Sequence, residues 1–114
     1  MIEADRIIPG NPIDFIQRCV KDRRIFWTYH VNLRMKGRFI PREFILESIQ
    51  FYEIIEAYPD DKYFPSYLVY SSYQGHGFHA LFATDVEENN VRIITAYFPN
   101  RNDWGDDLKT RRRS

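Results

Sequence analysis

Histidine and arginine residues in the first half of the chain have a spacing that could support phosphate chemistry. His30, Arg34 and Arg38 are four residues apart, so one continuous helix would stack their side chains on a single face. Two guanidinium groups beside an imidazole suit a phosphate ester, because arginine offers a rigid fork of donors to its oxygens. The same spacing is typical of a solvated basic face, and Gly37 interrupts the helical pattern before Arg38.

A second set of polar residues follows from the expected pairing of strands in the second half of the chain. A polar turn centred on residue 88 places His79 opposite Tyr97 and Leu81 opposite Thr95. A glycine-rich turn centred on residue 75 places Ser71 beside His79. The pattern predicts a polar row across three strands, with Thr95 on the same face. The alternative is a hydrogen-bonded structural histidine beside a half-buried tyrosine.

Other chemical signatures in the sequence are incomplete. His76 and His79 have an H-x-x-H spacing, but a metal site would also need carboxylates such as Asp85. Cys19 lies near the apolar face of a predicted helix and is interpreted as a core residue. The sequence contains no glycine-rich phosphate loop, no G-x-S-x-G motif and no paired-carboxylate motif. We therefore expect no metal and no cofactor.

Composition favours one globular domain without a membrane span. The chain has 114 residues, of which 44% are hydrophobic and 17% aromatic. Sixteen basic and sixteen acidic residues cancel, so any nucleic-acid site must be a local patch. The single cysteine and the absence of a signal-like start favour the cytoplasm. No apolar run approaches the roughly 20 residues that cross a bilayer.

Periodicity predicts an α+β fold, with N-terminal helices packed on one face of a four-stranded antiparallel sheet. An N-cap at Asn11 begins a helix over about Pro12–Asp22, and Ile25–Tyr29 is a strand or an extended lead-in. His30–Lys36 is helical in pattern, and Pro41 opens another helix. The predicted strands are Tyr52–Tyr58, Ser66–Ser72, Phe78–Asp85 and Val91–Phe98. The single domain, 1–114, thus comprises helices over 11–51, a sheet over 52–98 and a polar basic tail over 100–114.

Several motifs occur in an order that matches a known family over roughly residues 25 to 112. They are Tyr29-His30, Arg34-Met35, Arg38, Ile40, the loop Tyr58–Lys62, Pro65–Val69, His79, Ile93–Pro99 and Trp104. Together they resemble the prokaryotic family catalogued as domain of unknown function 4258 (DUF4258). The segment Arg92–Ala96 is also similar to a late strand of BrnT-type toxins, whose fold is related to the RelE and barnase-like ribonucleases.

The resemblance implies a metal-independent RNA endonuclease, often the toxin of a toxin-antitoxin pair, with RNA and an antitoxin protein as partners. Metal-free cleavage needs a base, an acid and cations for the charged phosphorane. His79 and His30 are assigned the proton transfers in either order, since histidine titrates near neutrality. The remaining family positions, Arg34, Arg38 and Tyr97, would hold the phosphate and orient or stack on the substrate. The predicted substrate contacts are Ser71, Thr95 and Trp104.

Two other functions are compatible with the same residues. A non-catalytic module could hold RNA or a partner protein with the same basic and aromatic groups, and the zero net charge favours this alternative. A small-molecule pocket could be lined by Tyr67, Tyr70, Tyr73 and Tyr97, although no motif supports it. The BrnT-like pattern has an arginine where this chain has Tyr97, so that toxin's mechanism does not transfer directly.

Overall fold

The computed structural model describes residues 7–27 and 40–112, and its first element is an amphipathic helix, α1, over Pro12–Lys21. The Asn11 side chain caps it by accepting a 3.2 Å hydrogen bond from the Asp14 backbone N–H. Pro12 suits the first turn because its missing N–H would have no helical partner there. The buried residues lie on one helix face: Phe15, Ile16, Cys19 and Val20. The predicted helix and the core position of Cys19 are confirmed.

Two short helical segments follow Ile40. Helix α2 spans Arg42–Glu47 directly after Pro41, as the sequence predicts, and a 3₁₀ helix spans Ile49–Phe51. The helical pattern predicted at His30–Lys36 lies outside the described residues. Within residues 7–27 and 40–112, no helix combines the length and apolarity needed to cross a membrane.

The described strands form one mixed five-stranded sheet in the order β1-β5-β4-β3-β2. They are β1 (Ile25–Trp27), β2 (Glu53–Tyr58), β3 (Ser66–Tyr73), β4 (His76–Asp85) and β5 (Asn90–Tyr97). The last four pair antiparallel as predicted. The prediction of a purely antiparallel four-stranded sheet is wrong, because β1 pairs parallel with β5. Short turns force antiparallel pairing only between consecutive strands, whereas the long segment between β1 and β5 permits a parallel pair.

The helices pack on the inner face of the sheet and form the core with it. The Tyr52 hydroxyl donates to the Ile45 carbonyl at 2.7 Å, and its ring lies 5.6 Å from the Phe82 ring. The largest fully buried inner side chains include Phe78, Phe82, Ile16, Ile40, Ile45 and Ile93. Burial of each such side chain stabilises the fold by roughly 1.5–3 kcal/mol.

The opposite, outer face of the sheet is partly covered by the tail loop, which we define as Asn100–Arg112. Trp104 and Arg111 form an isolated β-bridge at its base, and the Leu108 N–H donates to the Gly105 carbonyl at 2.9 Å. Lys109 anchors the loop to β2 through a 3.0 Å ion pair with Glu53. The loop therefore places its own side chains against residues of the sheet.

Candidate functional site

His79 and Tyr97 form the centre of the site on the outer face. They are directly paired on β4 and β5, and Leu81 is paired with Thr95, as the sequence predicts. The Nδ1 atom of His79 lies 3.2 Å from the Tyr97 hydroxyl oxygen. The predicted pairing of these two side chains on neighbouring strands is therefore confirmed.

The tail loop seals His79 from solvent. The Leu108 carbonyl oxygen lies 2.6 Å from Nε2, and the Trp104 ring packs edge-on with centroids 4.5 Å apart. His79 is 0% exposed and Trp104 only 3%. Because a carbonyl can only accept, Nε2 carries the proton, and the Tyr97 hydroxyl donates to Nδ1 of the neutral ring. Burial lowers the pKa of His79 and raises that of Tyr97, so both groups are held uncharged.

Ser71 does not belong to this row, and its predicted placement beside His79 is wrong. His79 pairs with Tyr70, while Ser71 pairs with Phe78 and faces the inner side. There Ser71 is fully buried and donates to the Ser48 carbonyl at 3.0 Å. The predicted turn was one residue too long: Gln74 (φ 52°) and Gly75 (φ 83°) alone form it, with both residues in the left-handed region.

A groove of about 300 Å³ opens beside Tyr97 on the outer face. We call it the Tyr97 groove, and its lining residues are Tyr58, Asp61, Leu68, Leu81, Thr95, Tyr97 and Arg111. Thr95 is half-buried in its wall, which places this predicted contact where a ligand could reach it. Trp104 is a buried residue of the tail loop, and its ring packs against His79.

The groove also contains an ion-paired cluster that the sequence pattern did not predict. The Arg111 guanidinium donates to both Glu56 carboxylate oxygens, at 2.6 and 3.2 Å, and the Tyr58 hydroxyl donates to the same carboxylate. Arg111 also lies over the Trp104 ring at 4.6 Å. Burial opposes ionisation of Glu56, but the hydrogen bonds from Arg111 and Tyr58 outweigh it and lower its pKa. The cluster therefore holds a carboxylate and a guanidinium at the groove in their charged forms.

Two β-bulges explain why strand periodicity did not reveal this cluster. Ile54 pairs with Val69 but Glu56 pairs with Leu68, so the extra residue Ile55 turns Glu56 to the outer face. A bulge at Ile94 likewise separates Ile93, on the inner face, from Thr95 on the outer face. A strict period of two would have placed Glu56 beside Ile54. The only local sign of the cluster in the sequence was that Glu56 stands two residues before Tyr58.

The other residues that the sequence suggested for a site either lie away from Tyr97 or fall outside the described residues. His30, Arg34 and Arg38 fall in the segment 28–39, which the structure does not describe. His76 lies on β4 three residues before His79, so the two imidazoles take opposite faces and His76 stacks on Phe44 at 6.2 Å. In the described part of the chain, no three His, Cys, Asp or Glu side chains group as metal ligands.

The tyrosines proposed to line one small-molecule pocket also divide between the two faces. Tyr67 and Tyr73 are on the inner face of β3, whereas Tyr70 pairs with His79 on the outer face near Tyr97. A single pocket lined by all four is therefore not formed.

Comparison with protein families identifies the chain. Residues 27–98 match the model described as Domain of unknown function (DUF4258), which covers more than half of the sequence. The chain belongs to this family, as its motifs predict. No curated protein and no solved structure matches it. The matched segment contains Glu56, Tyr58, His79 and Tyr97, and the tail loop lies beyond it.

Proposed function

We propose that this protein is a metal-independent RNA endonuclease that acts as the toxin of a toxin-antitoxin pair, with the Tyr97 groove as its reaction centre. One observation carries the proposal: a tyrosine hydroxyl bonded to a buried histidine opens into the same groove as a guanidinium held by a carboxylate. A proton-transfer group beside a phosphate-binding cation is what metal-free cleavage of RNA requires.

Tyr97 takes the proton of the attacking 2′-hydroxyl. As the 2′-oxygen bonds to phosphorus, the Tyr97 oxygen accepts its proton and passes its own proton to Nδ1 of His79. The resulting imidazolium keeps its Nε2–H bond to Leu108, so the ring is already oriented for the transfer. The P–O5′ bond breaks, solvent or a further side chain protonates the leaving oxygen, and a 2′,3′-cyclic phosphate remains.

Arg111 stabilises the phosphorane in this scheme. Its guanidinium presents planar donors that match phosphate oxygens, and its side chain is 56% exposed at the groove. Glu56 is a positioning residue, since it fixes the guanidinium through two hydrogen bonds. His30 keeps its predicted part in the proton transfers, and Arg34 and Arg38 remain predicted phosphate contacts. A neutralising antitoxin protein would cover the groove.

Cleavage of a labelled single-stranded RNA in excess EDTA tests the reaction. We expect 2′,3′-cyclic or 3′-phosphate ends, and no cleavage of single-stranded DNA. Tyr97→Phe keeps the ring but removes the hydroxyl, and should lower the cleavage rate by about 10²-fold or more. Tyr73→Phe removes a hydroxyl from the inner face and should cleave like the wild type. Full activity of Tyr97→Phe would reject the relay, and loss of cleavage in EDTA would reject the metal-free mechanism.

A non-catalytic RNA-binding module is the second candidate, and the burial of His79 favours it. Both ring nitrogens are engaged and the ring is 0% exposed, an arrangement that also suits a purely structural histidine. RNA binding that is weakened by Arg111→Gln, without cleavage under any condition, would support this module over the nuclease.

A further inference from the structure

A second groove, of about 630 Å³, lies on the outer face next to the Tyr97 groove. We call it the Arg92 groove, and its lining includes Lys62, Tyr63, Phe64, Ala83, Arg92 and Ile94. Its walls are mostly apolar and aromatic, with cations at the rim. Asp61 lines both grooves, so they are adjacent on the sheet. Ala83 follows His79 by four residues on β4, which separates the two ends by roughly 13 Å.

Tyr63 gives this groove an exposed aromatic surface. Its side chain is 77% exposed, more than any other large hydrophobic residue of the described ranges. The Lys62 ammonium lies 5.2 Å from its ring centroid. A solvent-exposed aromatic ring next to a cation is typical of surfaces on which nucleobases stack.

Arg92 supplies a cation whose hydrogen bonds are incomplete. Its guanidinium lies 4.9 Å from the Phe64 ring centroid and makes one 3.4 Å ion pair with Asp85. Its Nε atom is buried and has no hydrogen-bond partner among the described residues. The side chain remains 42% exposed. The exposed part of the guanidinium can donate to a phosphate oxygen in the groove, whereas the buried Nε cannot be reached by one.

The bulge at Ile94 completes the apolar floor. Ile94 is the extra residue of β5, and it is 39% exposed at the groove, next to Ala83 of the neighbouring strand. A regular strand would not have presented both Ile94 and Thr95 to the outer face. The same irregularity therefore shapes both grooves.

We propose that the Arg92 groove is a nucleotide-binding subsite for single-stranded RNA, in which Tyr63 stacks on a base and Arg92 contacts its phosphate. This inference rests on the proposed function of the adjacent Tyr97 groove. The occupant is a nucleotide flanking the one held at Tyr97, because the two grooves are adjacent and each is lined by an arginine. The subsite reads no base identity, since every base has a face on which an aromatic ring can stack.

Fluorescence anisotropy with a labelled single-stranded RNA measures the contribution of the platform. Tyr63→Ala should weaken binding roughly five- to a hundredfold, while Tyr63→Phe should bind like the wild type. Phe51→Ala is the matched control, because Phe51 is 55% exposed but belongs to the helical layer. Arg92→Gln should lower the slope of log affinity against log salt by about 0.7, and Arg92→Lys should restore it. Urea unfolding of each variant checks that the loss of affinity is not a loss of folding.

An abasic scan of the RNA separates stacking from a general loss of affinity. Removal of one base should weaken binding at a single position in the wild type, and should cost nothing further in Tyr63→Ala. Wild-type affinity of Tyr63→Ala, beside weakened Arg111→Gln, would reject the subsite and leave the nuclease proposal standing. A Tyr63 effect on binding by a protein that never cleaves RNA would keep the subsite and reject the nuclease. No RNA binding by the wild type would reject both, and a Tyr63-dependent dimer would assign the groove to a second copy of the chain.

Discussion

Leu108 fixes the protonation pattern of His79, because its carbonyl oxygen can only accept a hydrogen bond. The proton on Nε2 leaves Nδ1 as the acceptor for Tyr97. A backbone atom of the tail loop thus decides which way the tyrosine hydroxyl points. The histidine acts through the tyrosine, and Tyr97 alone of the two reaches the groove.

The pH dependence of stability tests the burial of the neutral imidazole. The folded pKa of His79 is lowered from 6.5 by burial, so the unfolded chain binds more protons below that pH. Stability should be fully present above 6.5 and should fall as the pH is lowered towards the folded pKa. Urea unfolding at about pH 7.5 and about pH 5.5 should show this loss for the wild type but less of it for His79→Gln.

His76→Gln is the control for that measurement, because His76 is exposed on the same strand. It should retain the wild-type dependence on pH. Glu56 contributes in a separate, lower range, since its pKa is lowered from 4.5 and its stabilisation is lost only as the pH falls through that lower value. An identical pH dependence in His79→Gln and the wild type would contradict the assignment.

At the scale of elements, the bulged strands β2 and β5 decide which side chains meet at the Tyr97 groove. Each bulge reverses the facing of the residues that follow it, so Glu56 and Thr95 reach the outer face. The tail loop then brings Arg111 against Glu56 and Trp104 against His79. Three separate segments of the chain therefore have to pack before the cluster exists.

Trp104→Ala tests whether the tail loop maintains the site. Loss of the buried ring should lower the free energy of unfolding by about 3–5 kcal/mol. Water admitted to the imidazole should raise the His79 pKa towards its ordinary value, because burial is the cause that lowers it. NMR titration of the His79 ring gives that pKa directly.

Two companion variants keep the Trp104 experiment interpretable. Trp104→Phe retains an aromatic ring and should shift the pKa less, which is useful if the alanine variant unfolds. Asn102→Ala changes an exposed residue of the same loop and should leave the His79 pKa unaltered. If His79 has the wild-type pKa in both Trp104→Phe and Trp104→Ala, the tail loop does not control the access of solvent to the imidazole.

For the whole molecule, the zero net charge conceals a paired distribution of charges on the outer face. Arg111 is bonded to Glu56, Lys109 to Glu53 and Arg92 to Asp85. RNA phosphates would have to compete with these carboxylates for the same cations. RNA binding should therefore depend on the individual side chains of the groove, and long-range electrostatic attraction should contribute little to it.

Charge-matched variants distinguish a local patch from general electrostatics. Arg111→Gln and Lys21→Gln change the net charge equally, but Lys21 lies on α1, on the opposite side of the sheet. RNA affinity should fall for Arg111→Gln, with the salt slope reduced by about 0.7, and should stay at the wild-type value for Lys21→Gln. Equal losses in both variants would indicate that net charge governs binding and would contradict the assigned groove.

Local sequence signals were sufficient for much of the architecture. The cap at Asn11 and the apolar spacing of α1 specify that helix without help from the rest of the chain, and Pro41 does the same for α2. Alternating residues and polar turns specify the last four strands. The pairing of His79 with Tyr97 could be counted because only a short turn separates β4 from β5.

The sequence by itself determined the α+β class, the family and the pairing of His79 with Tyr97, because these follow from neighbours along the chain. Only the tertiary structure decided the parallel β1, the facing of Ser71, the two bulges and the docking of Arg111 on Glu56. The face on which Ser71 lies depends on one residue in the length of the turn between β3 and β4, since a one-residue slip exchanges the two faces of a strand. Arg111 is one of several arginines in a polar tail, and its partner lies 55 residues away. A contact at that separation depends on how the whole sheet and tail pack, which no local pattern encodes.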